Sequence, residues 1–179
     1  MTWQIMPTYD SLETAREQFR WELPDDYNPA ADLLQKHDPD QPAIIYQTPT
    51  GSVSTHSYGD LDERSDRLAA ALHDLGTEPG DRVAVVVPQK PANPIAHLAN
   101  WKLGATSVPL TVLFGPESLE YRLDDSGASA VVVDPSVREE IEAVRDSCPD
   151  LDHVIELGGS ADGEAYAFEE LVSDYEPGF

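Results

Sequence analysis

Between Leu61 and Leu75 the apolar positions Leu61, Leu68, Leu72 and Leu75 fall on one side of a helical wheel, and Arg64 and Arg67 fall on the other. That spacing predicts an amphipathic helix across "SYGDLDERSDRLAAALHDLG". Ser57 with Asp60 three residues on has the layout of a capping box, although its usual partner is Glu or Gln. Gly76 can take the left-handed stop. After "EPGDR" the pattern changes to "VAVVVP", an uninterrupted apolar run that suits a strand buried on both faces.

The same alternation continues downstream. A helix is predicted near 92–103 ("ANPIAHLANWKL"), a strand near 106–110, a helix near 116–126 and a strand at "ASAVVVD". A further helix, "PSVREEIEAVRDSC", leads to the strand "HVIEL". Strand and helix in turn predict an α/β fold with an open, mostly parallel sheet covered on both faces. Upstream, residues 1–40 read as a helical lead-in. Leu12, Ala15, Phe19 and Leu23 have helical spacing behind Asp10 or Ser11 as cap, and Asn28-Pro29 opens a second helix. "QPAIIYQTPTGSVSTHSY" reads as a hairpin about Pro49-Thr50-Gly51. Residues 41–160 form the α/β region, and 161–179 hold a loop, a short helix and a tail.

Charge alters this picture more than overall composition does. The chain of 179 residues carries 34 acidic against 11 basic residues, a formal charge of −23. A field of that sign repels nucleic acid and anionic membranes, so neither is an expected partner. The acids are dispersed rather than gathered into a tail. That fits a surface kept hydrated in concentrated salt; an ordinary acidic cytosolic protein is the alternative. No apolar run approaches the roughly 20 residues that span a bilayer. No secretory signal is visible, so the cytoplasm is the expected location. The single cysteine, Cys148, excludes an internal disulfide and has no metal-ligand spacing with the five histidines.

Few residues advertise chemistry. "LGGSADGEAY" is glycine-rich but fits neither a dinucleotide fingerprint nor a phosphate loop with its lysine and hydroxyl, so it reads as a surface loop. Acid pairs such as Asp124-Asp125 and Glu139-Glu140 point about 100° apart on a helix and read as solvated faces. Trp101 is expected in the core. Lys102, near a helix C-terminus, is well placed without any ligand.

Two stretches in order carry a resemblance. "THSYGDLDERSDRLAAALHDLGTEPGDRVAVVVPQ" followed by "LANWKLGATSVPLTVLFGPESLEYRLDDSGASAVVVD" resembles the N-terminal region of AMP-forming acyl-CoA synthetases, of the adenylate-forming superfamily. The matching pieces are Tyr58-Gly59-Asp60-Leu61, the run from Leu75 to Val85, and Lys102, Gly104, Ala105, Val108, Pro109 and Leu110. The resemblance spans about residues 25 to 160 and looks most like the acetyl and medium-chain enzymes. It implies a partial adenylate-forming large domain. In the full-length family it implies ATP, Mg and CoA, which turn a carboxylic acid into acyl-CoA, AMP and pyrophosphate.

Pro109 lacks an amide, so "SVPL" is expected to lie at a sheet edge, a bulge or a strand end. The loop that follows leaves the carboxyl end of a parallel strand, where open α/β sheets build ligand sites. Thr111, Val112, Leu113 and Phe114 are therefore the candidate pocket-edge residues. The resemblance supplies no catalytic, cofactor-binding or metal residue here, because the family's phosphate loop and lid lysine find no match. The expectation is an N-terminal fragment with no cofactor bound by this chain and no ligase activity of its own. Its expected partner is the remainder of the synthetase or a second copy. A split-synthetase subunit and a small non-catalytic α/β ligand-binding module are the alternatives.

Overall fold

A computed structural model of the chain describes residues 7–21, 24–159 and 165–178. The lead-in forms two short helices, α1 (Leu12–Gln18) and α2 (Pro29–Leu34). Ser11 caps α1 through Thr14 N, and Asn28 caps α2 through Ala30 N and Ala31 N. α1 buries none of its residues, and Leu12 is exposed, so its apolar face is unmet; Leu23 lies outside the described residues. α2 does dock, burying Ala30 and Leu34.

Strands β1 (Pro42–Gln47) and β2 (Val53–Ser57) pair antiparallel as a separate two-stranded sheet. Gly51, at φ 92°, makes the turn between them. Ser57 then caps α3 (Tyr58–Asp74): Asp60 N donates to Ser57 Oγ at 3.0 Å and Ser57 N to Asp60 Oδ2 at 2.8 Å. The shorter Asp side chain thus closes the reciprocal box, an arrangement that contributes about 1 kcal/mol to a helix start.

The main sheet contains β3 (Arg82–Val86), β4 (Thr106–Pro109), β5 (Ala130–Val133), β6 (His153–Glu156) and β7 (Ala165–Ala167). Its spatial order is β4-β3-β5-β6-β7, and every pairing is parallel. Successive strand residues face opposite sides, which explains the unbroken valine runs. Val83, Val85, Val132 and Ile155 join one core with α3, α4 (Ala92–Leu103) and α7 (Phe168–Asp174). Ala84, Val86, Val131, Val133 and Val154 join the other with α5 (Pro116–Ser126) and α6 (Arg138–Arg145).

β4 is an edge strand, and Pro109 is its last residue. Thr106 N donates to Asp81 O and Leu110 N to Val85 O, so even-numbered amides face β3. Pro109 falls on the outward side, where its missing N–H costs no ladder bond.

Candidate functional site

The crossover from β3 runs through α4 on one face of the sheet to β4. The crossover from β4 runs through α5 on the other face, past β3, to β5. Connections therefore leave β3 and β5 in opposite directions, and the loops beyond their carboxyl ends flank a topological switch point, the usual ligand crevice of an open α/β sheet.

An ion pair bridges that crevice. The Lys90 ammonium, from the loop after β3, meets Asp134 Oδ2, from the loop after β5. The Asp134 side chain is 5% exposed and that of Lys90 is 41% exposed. Asp134 also caps the single 3-10 turn Pro135–Val137, accepting from Ser136 N at 3.1 Å and Ser136 Oγ at 2.7 Å. Burial pushes the carboxyl up, but Lys90 and the two Ser136 donors outweigh it and hold Asp134 below its ordinary value. Beside the pair lies a cleft of about 420 Å³ reached by Arg64, Lys90, Leu157, Gly158 and Glu169. Arg64 is tied to Glu169 at 2.9 Å, so both cations here already have carboxylate partners.

A second cleft, of about 450 Å³, opens beside the edge strand. Pro88, Pro109, Val112 and Leu113 supply apolar wall, and Gln89, Asn93, His97 and Thr111 supply neutral polar groups; among the described residues no Lys, Arg, Asp or Glu lines it. Thr111, Val112 and Leu113 of the four sequence candidates are brought together on this cleft. Phe114 turns away: its ring lies 4.1 Å from the Arg122 guanidinium and packs on the core beneath α5 and α6.

His97 connects this cleft to a smaller apolar groove of about 300 Å³ between α2, β1 and α4. Its Nδ1 is 2.6 Å from Ser107 Oγ, and Asn100 Nδ2 donates to the same hydroxyl at 2.9 Å. Burial holds the imidazole below its ordinary value of 6.5. Trp101, expected in the core, is 36% exposed and stands on the rim of the groove, its ring 6.2 Å from that of His97. Lys102 is not a loose helix-end charge. It is sealed against Asp66 and Asp62, 2.5 Å from Asp62 Oδ1.

Sequence reasoning passed over Lys90, Asp134 and His97. "VVVDPS" does carry a signal, an N-cap residue before proline at a strand end. Lys90 carries none, because its partner lies 44 positions away, and His97 carries none, because it meets Ser107 only once α4 packs beside β4.

The profile of the AMP-binding enzyme family matches residues 33–177. The chain belongs to that family. The chain is 35% identical over 136 residues to a long-chain-fatty-acid–CoA ligase of Escherichia coli O157:H7, a match covering 74% of this chain and 23% of the relative. It is 25% identical over 180 residues to a mitochondrial acyl-coenzyme A synthetase of Homo sapiens, covering 96% of this chain and 30% of that one. Its fold overlays on an acyl-CoA synthetase from Brucella canis with a TM-score of 0.80 at 24% identity, covering 95% of this chain and 34% of the other. The segment thus spans between about a quarter and a third of the length of these relatives.

The ATP of the family, and the Mg that the sequence resemblance implies, find no fitting set of residues among those described here. No group of three His, Cys, Asp or Glu among the described residues could hold a metal ion. The larger cleft offers no cation to a triphosphate, and the cations of the switch-point cleft are neutralised by Asp134 and Glu169. Cys148 offers no nucleophile: burial pushes its thiol up, and the carboxylates of Asp124 and Glu120 add to the rise.

Proposed function

We propose that this chain is the opening segment of an AMP-forming acyl-CoA synthetase, which joins a carboxylic acid to CoA through an acyl-adenylate. Its own part is the scaffold and one wall of the substrate site; the groups that grip ATP come from the remainder of the enzyme. The carrying observation is the open cleft at the β4 edge, walled on this side by Thr111, Val112 and Leu113 and bordered by a strand that pairs on one side only among the described residues. Leu113 is 88% exposed there, an apolar side chain left for a partner to cover.

Alone, the chain has no ligase activity, because no described group could stabilise charge developing on an α-phosphate. The exposed β4 edge and Leu113 favour completion by a second polypeptide where the remainder is not in the same chain. ATP–pyrophosphate exchange with short and medium-chain acids tests the reading. The pure segment is expected to give none, and addition of a separately produced complementary portion of a relative is expected to restore it. Exchange by the segment alone, or none after the two parts demonstrably associate, overturns the proposal.

A further inference from the structure

The Asn100–Ser107–His97 chain determines where the hydrogens lie. Asn100 Nδ2 also faces Val83 O at 3.4 Å; its Oδ1 is buried without a partner, but turning the amide over would set that oxygen against the Val83 carbonyl, so the NH2 end is assigned to Val83 O and Ser107. Its donation to Ser107 Oγ occupies a lone pair and leaves the single hydroxyl hydrogen to be placed. Among the described residues that hydrogen has one acceptor within reach, His97 Nδ1 at 2.6 Å. The reverse assignment, with Nδ1–H donating to Ser107, would strand the hydroxyl hydrogen, which a partly buried site disfavours. His97 is therefore neutral with its proton on Nε2.

Nε2 has no hydrogen-bond partner among the described residues and is not one of the polar atoms sealed from solvent. The ring lines the uncharged cleft. A cleft of that size, with mostly apolar walls and a few aimed polar groups, has the build of a small-molecule site. In a chain of charge −23, a lining with no ionised side chain is selective in itself: it neither attracts an ion nor neutralises one.

We propose that the β4-edge cleft binds a small uncharged ligand with an apolar body and a hydrogen-bond acceptor such as an amide or ketone carbonyl, and that His97 is the donor that orients it. The apolar body lies on Pro88, Pro109, Val112 and Leu113, and the carbonyl accepts from His97 Nε2–H. Asn100 and Ser107 act as positioning residues, holding the imidazole in the donor tautomer without touching the ligand. The inference rests on the reading of this cleft as one wall of the substrate site: the wall this segment supplies takes the uncharged part of a ligand, and groups that would meet a carboxylate come from the remainder of the enzyme.

The test uses the chain with ¹⁵N-labelled histidine. Two-bond ¹H–¹⁵N correlation spectra at pH 7.5 are expected to show His97 in the Nε2–H pattern; an Nδ1–H pattern or an imidazolium overturns the assignment. N-methylhexanamide is the probe, with hexanoate and hexyltrimethylammonium as charged counterparts. The amide is expected to shift His97 Nε2 and the methyl groups of Val112 and Leu113, and to bind more tightly than either ion. His97→Phe keeps an aromatic ring but removes the donor and is expected to weaken the amide about tenfold, the value of one hydrogen bond of about 1.4 kcal/mol. His97→Gln, which retains an N–H, is expected to recover part of that loss. No shift with the amide, equal binding by an ion, or an unchanged affinity in His97→Phe overturns the proposal. Should His97→Phe not fold, Ser107→Ala serves: it is expected to give a tautomer mixture and weaker amide binding, and an unchanged spectrum and affinity overturn the role of the network. These readouts do not involve nucleotide, so they fail or succeed separately from the exchange assay.

Discussion

The ammonium of Lys90 and the buried carboxylate of Asp134 meet across the switch point of the sheet, tying the loop after β3 to the loop after β5. The two residues are 44 positions apart, and the pair closes the crevice between strands that are direct neighbours.

Asp134 is the more deeply buried partner, so removing its counter-charge is the harsher change. Lys90→Met is expected to destabilise the chain by about 2 kcal/mol, and Asp134→Asn, which keeps an acceptor for Ser136, by about 1 kcal/mol; both are set below the fully buried range because Lys90 is partly solvated. The double variant is expected to show a coupling of about 1 kcal/mol in urea unfolding. Purely additive losses would mean that the pair does not hold the loops together.

Acid acts on the fold in two windows. The neutral form of His97 is favoured by burial, so between its lowered folded value and 6.5 the unfolded chain binds more protons. Stability is then complete above 6.5 and declines as pH falls through that window. Asp134 behaves alike lower down: its contribution is present above 3.8 and is lost as pH falls below it. Urea midpoints measured between pH 7.5 and 5 are expected to fall in the wild type and to flatten in His97→Phe. A midpoint that rises on acidification contradicts the assignment.

Lys102 joins α4 to α3 as a buried cation between two acids, its side chain 9% exposed. Lys102→Met leaves Asp66, at 17% exposure, without its partner. The expected cost is about 2–3 kcal/mol, read as a lowered denaturant midpoint with an unchanged slope. A loss under 0.5 kcal/mol, of the size seen at ordinary surface sites, would show that packing alone joins the helices.

Salt should stabilise this chain. At −23, self-repulsion opposes the compact state, and raising salt from 0.1 M to 1 M shortens the Debye length from about 10 Å to about 3 Å. The thermal midpoint is expected to rise over that range with both NaCl and KCl, measured by circular dichroism. A midpoint that stays constant or falls would count against salt adaptation.

Features written in neighbouring residues were legible before the fold was known. Ser57 and Asp60 form the box their spacing announces, and Asn28-Pro29 opens α2. Gly76, the expected stop, has φ 96° just past the end of α3. Pro109 lies at both an edge and a strand end. β7, three residues reading Ala-Tyr-Ala, was not legible, because its strand state comes from pairing with β6 rather than from propensity. Trp101 was misplaced because helical periodicity says which face a residue shares, not whether another element covers that face.

Of the candidate site, the sequence placed the loop Thr111–Phe114 at a strand's carboxyl end but could not say that Phe114 turns toward Arg122 while its three neighbours line the cleft. By itself it determined the elements other than β7, several of their caps, the parallel character of the sheet and the family, because each of these is encoded in short-range periodicity or in contiguous motifs. Only the tertiary structure decided which charges meet and which polar atoms face a cleft. Lys90 finds Asp134, and His97 is locked by Ser107, only after strands and helices stack, and contacts of that kind are set by packing in three dimensions and leave no pattern along the chain.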